Sequence, residues 1–235
     1  MDMDHRTTYD PIDRTSSLKS VLESEHRYAL LMQMAKDGRL FSAIPELESI
    51  DSCKQNHMAT IYAPHTVLHH SILVCRYLTF YPGCPVSPFD LGLFGLTHDI
   101  GKSIDYVRHI EVGYTMFTEI LKRFNVSKPV QTHLIKLYTQ HLLLGNITTG
   151  IFGYRGKTLH TESHDGPQSI YTETFFTPQR ILELCGSYET FRLLMAFTEA
   201  DCKAVNPAFW ESQFLEGKRK PEILDIIDSD VRSLC

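Results

Sequence analysis

Leu91-Gly-Leu-Phe-Gly-Leu-Thr-His-Asp-Ile-Gly-Lys102 decides the reading of this chain. It is an apolar run long enough for a buried helix, and a histidine and an aspartate close it. The helical segment is expected from Pro88 to Asp99, with Gly101 as its C-terminal cap. An aspartate facing a core is costly unless it is paired or bound to a metal. His98-Asp99 therefore asks for partners elsewhere in the chain.

Partners of the right type recur on other segments. From Thr66, the residues Val67, His70, Val74, Tyr77 and Tyr81 follow three- and four-residue steps, which puts His70 on an apolar stripe. His69 lies about 100° away around that helix and is expected at the rim. Val130, Leu134, Leu137 and His141 repeat the pattern, and so do Phe191, Leu194, Thr198 and Asp201. A single histidine on an apolar face is ordinarily a hydrogen-bonded core residue. Imidazoles and carboxylates on four separate stripes are explained together if they converge on one cation, because the ligands and the ion then offset each other.

Other segments read as helical too. A first helix is expected from Ser17 with Leu18, Val21, Leu22, Tyr28 and Met32 on one face, ending at Asp37-Gly38. Residues 41–50 form a short helix interrupted by Pro45, and 51–60 a polar loop. Ile110, Gly113, Phe117, Ile120, Leu121 and Phe124 line a helix. Helices resume at Pro178 and at Asn206-Pro207, and Ile223, Ile227 and Val231 line the last one, after the charged break Lys218-Arg-Lys. Residues 145–176 differ: rich in Gly, Thr, Ser and His, they lack a helical period, with short strands expected near 151–154. The expected architecture is all-α: a flexible arm over 1–16 and one helical domain over 17–235, carrying a lid-like irregular insertion at 145–176.

Composition sets the outer bounds. The 235 residues are 43% hydrophobic and 22% charged with net charge −5, which suits a packed domain and disfavours a nucleic-acid groove or a basic membrane face. No apolar run approaches the ~18 residues a membrane span needs, and 1–14 lacks the apolar core of a secretory signal. Cys53, Cys75, Cys84, Cys185, Cys202 and Cys235 form no C-x-x-C pair and read as reduced thiols, so a cytoplasmic location is expected.

In order, His70, His98-Asp99 and Asp201 resemble the H…HD…D signature of the HD-domain metal-dependent phosphohydrolases, and Thr97-His-Asp-Ile-Gly-Lys102 resembles that superfamily's central motif. Four segments resemble the HD domain of bacterial PII uridylyltransferase/uridylyl-removing enzymes: Thr66-Val-Leu-His-His70, His109-Ile-Glu-Val-Gly113, Gln140-His-Leu-Leu-Leu144, and Thr198 to Pro207 followed by Trp210. The resemblance spans roughly 37–213, with the core motifs in 66–213. The chain departs from those enzymes in having no nucleotidyltransferase region before the motifs, and 146–162 reads as extra sequence.

The resemblance implies an all-helical HD bundle that holds one or two divalent ions (Mn, Mg, Fe, Co or Ni) through His70, His98, Asp99 and Asp201. His109 and His141 would join a second metal or contact phosphate. Asp99, Lys102, His109 and His141 become the candidate catalytic residues. The implied reaction is hydrolysis of a phosphate ester, in a nucleotide, a phosphorylated metabolite or a nucleotidylated protein partner. Two rival functions share this pattern: a non-catalytic nucleotide- or partner-binding protein, and a di-iron oxygenase. Arg108, Lys203, His160 and His164 are weaker site candidates, and His5, His26, His57, His65 and His133 have no supporting context.

Overall fold

The computed structural model describes residues 11–55, 65–164 and 170–235, without the side chains of 11–16 and 214. His5 and His57 lie outside the described residues, as do 1–10 of the expected arm and 56–60 of the expected loop. The all-α class holds: helices dominate, and what strands there are stay short.

The N-terminal half is built from α1 (Pro11–Leu22), α2 (Arg27–Lys36), α3 (Arg39–Ala43) and α4 (Glu48–Asp51), then α5 (Val67–Tyr77), α6 (Pro88–Thr97) and α7 (His109–Arg123). The second half holds α8 (Lys128–Gln140), α9 (Leu143–Thr148), α10 (Pro178–Cys185), α11 (Tyr188–Val205), α12 (Pro207–Glu211) and α13 (Lys220–Arg232). Capping chemistry sets many of the starts. The hydroxyls of Thr66, Ser87, Thr177 and Ser187 accept the backbone N–H three residues on, and proline occupies the first turn of α6, α8, α10, α12 and α13. The most extensive helix pairing sets α11 along α5, which brings the Asp201 stripe beside the His70 stripe.

Five expectations need correction. The helix expected from Ser17 begins at Pro11, inside the expected arm, and breaks at 23–26 into two helices. Gly101 is not a left-handed cap. It sits in a 3-10 turn (Ile100–Ser103) pressed against α7, where an added Cβ would lie 2.0 Å from the His109 carbonyl oxygen. The insertion begins with a helix, α9, rather than with irregular chain. Nor is it a lid. Strands β1 (Gly153–Arg155), β2 (His160–Thr161) and β3 (Phe175–Phe176) form a small sheet in the order β2-β1-β3, antiparallel then parallel. Phe152, Tyr154, Leu159 and Phe176 on this segment are fully buried in the main core. Tyr154 Oη and the Lys157 N–H both donate to Asp230 Oδ2 (2.9 and 3.0 Å), which ties the sheet to α13. A second hairpin, β4 (Gln213–Leu215) with β5 (Lys218–Arg219), stands where the charged break was expected, and Lys220 beyond it is buried.

All six cysteines are free thiols. No helix among the described residues is long and apolar enough to cross a membrane.

Candidate metal centre

The ends of helices aim the cluster. α6 stops at Thr97, His98 closes it, and Asp99 leaves helical geometry (φ −104°, ψ 13°) to enter the 3-10 turn. Asp105 Oδ1 accepts the N–H groups of Val107 and Arg108 (3.0 and 2.9 Å), so α7 starts at His109. α8 ends just before His141. With His70 on α5 and Asp201 on α11, five elements converge on one point.

Asp99 is the hub, and its two oxygens face different groups. Oδ2 lies 3.2 Å from His98 Nε2 and 3.9 Å from His70 Nε2. Oδ1 lies 3.3 Å from His109 Nε2 and 3.8 Å from His141 Nε2. Two triads thus have the spacing to hold a metal ion, His70–His98–Asp99 and Asp99–His109–His141, every member buried. Asp201 joins the first half, its Oδ1 at 2.8 Å from His70 Nε2 and 3.8 Å from His98 Nε2; at 28% side-chain exposure it is the open edge of the cluster.

Hydrogen bonding around the rings shows what is missing between them. Nδ1 of His98, His109 and His141 lies 2.9, 3.0 and 2.8 Å from the carbonyl oxygens of Gly95, Tyr106 and Tyr138. A carbonyl only accepts, so each Nδ1 carries the hydrogen, and a neutral ring then presents a bare lone pair at Nε2. The Nε2 atoms of His109 and His141 stand 3.2 Å apart. His98 Nε2 is buried with no hydrogen bond among the described residues. Its 3.2 Å approach to Asp99 is not aligned as one. Lone pairs converging on each other and on a carboxylate repel unless a cation lies between them. Backbone-anchored imidazoles with free Nε2 atoms are the usual second-shell arrangement of a metal site. The residues therefore fit a divalent cation.

The electrostatics agree. Burial works against the Asp99 charge, but His98, Lys102 and His109 hold its carboxyl well below the usual range. Asp201 is likewise opposed by burial, and its hydrogen bond with His70 brings it down to about 2. Burial pulls His109 down, and burial with the neighbouring His109 and His98 rings takes His141 to about 3; both are neutral near pH 7, as ligands must be. His98 moves up, burial being outweighed by the Asp99 and Asp201 charges.

Lys102 belongs to the cluster: its Nζ is 2.6 Å from Asp99 Oδ2, and burial of the ammonium is outweighed by that carboxylate. It also donates to Gln55 Oε1 (3.3 Å), which accepts from Tyr106 Oη as well (3.2 Å). Gln55 and Tyr106 carry no periodic signal, and only the folded chain reveals them. His69 stays outside, half-buried beside Tyr28, as its helical phase requires. Arg108 pairs with Glu111 and Lys203 with Glu199. His160 and His164 are exposed and do not line the site, and His26 is exposed at the α2 start. His133 bonds Thr190 Oγ1 (2.8 Å), whereas the ring of His65 stands 5.9 Å from that of His70.

A cavity of about 210 Å³ opens on the cluster, reaching His70, His98, Asp99, Lys102, His141 and Asp201. A wider groove of about 500 Å³ runs between α11 and α13, but no histidine lines it, and the candidate metal cluster opens on the smaller space. No protein-family model, curated protein or solved structure matches the chain.

Proposed function

We propose that this protein is a metal-dependent phosphohydrolase of the HD-domain type, with the phosphoryl group of its substrate held at the metal cluster against Lys102. The observation that carries the reading is the division of Asp99: each carboxylate oxygen faces its own pair of buried, backbone-anchored imidazoles. Such a histidine- and carboxylate-rich set suits Mn, Fe, Co, Ni or Mg better than a thiolate site does. His70, His98, Asp99 and Asp201 would hold one ion, and Asp99, His109 and His141 a second. A bound divalent ion supplies Lewis acidity and makes water a nucleophile near neutral pH.

The chain's own residues supply the rest. Asp99 accepts a hydrogen bond from the attacking water and orients it. The Lys102 ammonium lines the cavity and offsets charge on the phosphoryl oxygens, a point-charge role suited to lysine. His109 and His141, neutral and facing each other, serve as ligands rather than as cations to the phosphate. The Gln55 and Tyr106 contacts keep Lys102 from swinging into solvent.

The test is a screen of phosphomonoesters and diesters with Mn²⁺, Mg²⁺, Co²⁺ or Ni²⁺ added to the purified chain. Hydrolysis should require metal and fall roughly a hundredfold or more in His98→Ala, since removing even an outer-shell partner costs about 10–100-fold. Metal-independent turnover, or full activity in His98→Ala, would refute the reading.

A further inference from the structure

The cavity beside the cluster continues along a wall that the ligand-bearing elements themselves build. Leu142 follows His141 directly, and Val205 lies one turn beyond Asp201 on α11. Ile151, just before β1, and Phe209 of α12 complete it. Leu142, Ile151 and Phe209 are only half-buried while lining the cavity, so apolar surface stands beside the metal cluster.

The polar side chains on this side are already engaged or enclosed. The Thr149 hydroxyl donates to the Gly145 carbonyl (2.9 Å), Gln55 accepts from Lys102 and Tyr106, and the Asn146 amide nitrogen is buried. Among the described lining residues, Lys102 is the one cation, and the acidic groups are the cluster's own Asp99 and Asp201. A charged group laid on this wall would give up water without meeting a counter-charge, which is costly. An apolar group laid there gains by leaving water.

Phe209 is fixed from behind. Its N–H donates to the Asn206 carbonyl (2.9 Å), and its carbonyl accepts from the Ser212 hydroxyl (2.7 Å) and the Lys220 ammonium (3.2 Å). The same ammonium stands 3.6 Å from the centre of the Phe209 ring. Lys220 is itself fully buried at the start of α13, so it serves this residue rather than a ligand in the cavity. With its backbone groups engaged, what Phe209 contributes to the wall is its ring.

We propose that the substrate is a phosphate ester whose alcohol part is uncharged and apolar, that this part lies on Leu142, Ile151 and Phe209, and that Lys220 is the positioning residue that holds Phe209 for it. This rests on the phosphohydrolase reading above. In the reaction the water oxygen bonds to phosphorus as the bond from phosphorus to the ester oxygen breaks. The proton the water gives up ends on that oxygen, and the products are the free alcohol and the phosphate it carried.

The experiment uses the full chain with Mn²⁺ and the ethyl, butyl and hexyl phosphates, whose leaving alkoxides are alike. A fourth substrate, 4-phosphooxybutanoate, is the butyl ester with its methyl end replaced by a carboxylate. Calorimetry with the corresponding non-hydrolysable phosphonates runs beside it. Each added methylene should improve kcat/KM and Kd by about twofold to fourfold, the upper figure being full burial. The carboxylate should cost on the order of tenfold against the butyl ester. Phe209→Ala should cut the hexyl-over-ethyl preference by about threefold or more, and Ile151→Lys should reverse the order of the butyl ester and its carboxylate. If Phe209→Ala does not fold, Ile151→Lys carries the test. Lys220→Met should also shrink the hexyl-to-ethyl ratio, which a merely structural role would leave alone by weakening both esters in equal proportion. Equal kcat/KM along the series, or a wild-type preference for the carboxylate, would overturn the substrate class. An undiminished chain-length preference in Phe209→Ala, or an unreversed order in Ile151→Lys, would overturn the wall, and an unchanged ratio in Lys220→Met would overturn its positioning role. Phosphonate binding that tightens with chain length, but no turnover of any ester, would uphold the ligand class and refute hydrolysis instead.

Discussion

Replacing Gly101 with alanine should damage the second half of the metal cluster far more than a glycine-to-alanine change in an ordinary turn. The added Cβ would stand 2.0 Å from the His109 carbonyl oxygen and 2.9 Å from the Gly113 nitrogen, both backbone atoms that no rotamer change can move. Ordinary contact begins at 3.4 Å, so α7 must retreat by about 1.4 Å at its first residue. That residue is His109, held now at 3.3 Å from Asp99 Oδ1 and 3.2 Å from His141 Nε2. Overpacking of this kind costs about 1–3 kcal/mol, and a clash between two backbone segments belongs at the upper end. Urea denaturation should show a loss of about 3 kcal/mol, and equilibrium dialysis with Mn²⁺ should show loss of one bound ion while the His70–His98 half is retained. Gly101→Asn separates this account from a left-handed cap, where asparagine substitutes well for glycine. An asparagine variant as stable as wild type would refute the close-contact explanation.

Other expectations follow from the same contacts. Tyr138 Oη donates to the His109 carbonyl (3.3 Å) while the Tyr138 carbonyl accepts from His141, so Tyr138→Phe should cost about 1 kcal/mol and weaken Mn²⁺ binding selectively in the Asp99–His109–His141 half. Unchanged affinity by calorimetry would show that this hydroxyl does not position His109. Replacing residues 150–164 by a Gly-Ser linker should abolish folding by circular dichroism, since burying Phe152, Tyr154 and Leu159 stabilises by about 1.5–3 kcal/mol each in a domain whose total is about 5–15; a folded, cooperatively melting product would restore the lid. In the metal-free protein, Asp99 and Asp201 titrate lower when folded than when unfolded. Their stabilisation is therefore complete above the unfolded value near 4 and is lost as pH falls from there toward about 2. Asp201→Asn should flatten that acid slope by roughly 2 kcal/mol in denaturation at pH 5 and pH 2.5, and a slope identical to wild type would refute it.

The candidate site was largely legible in the residues because helical periodicity is a local signal. His70 and Asp201 betray themselves as polar residues on apolar stripes, and the structure sets them 2.8 Å apart across 131 positions. His141 shows itself the same way, whereas His109 had less to show, since its approach to His141 depends on how α7 meets α8. Gln55 was invisible, because it sits in a polar stretch and finds Lys102 only in three dimensions. The fold failed to read where composition masked packing. Gly, Thr and Ser around Phe152, Tyr154 and Phe176 suggested a mobile loop, although those aromatics are what bury the segment. Residues 23–26 carry no proline or glycine, so the break between α1 and α2 left no local mark.

The shared role of Asp99 is tested most directly by counting metal. Equilibrium dialysis against Mn²⁺, followed by elemental analysis, should give two ions per wild-type chain, one in His109→Ala, and none in Asp99→Ala, with circular dichroism confirming that the variants remain helical. A folded Asp99→Ala protein that still binds its full complement of metal would contradict the account.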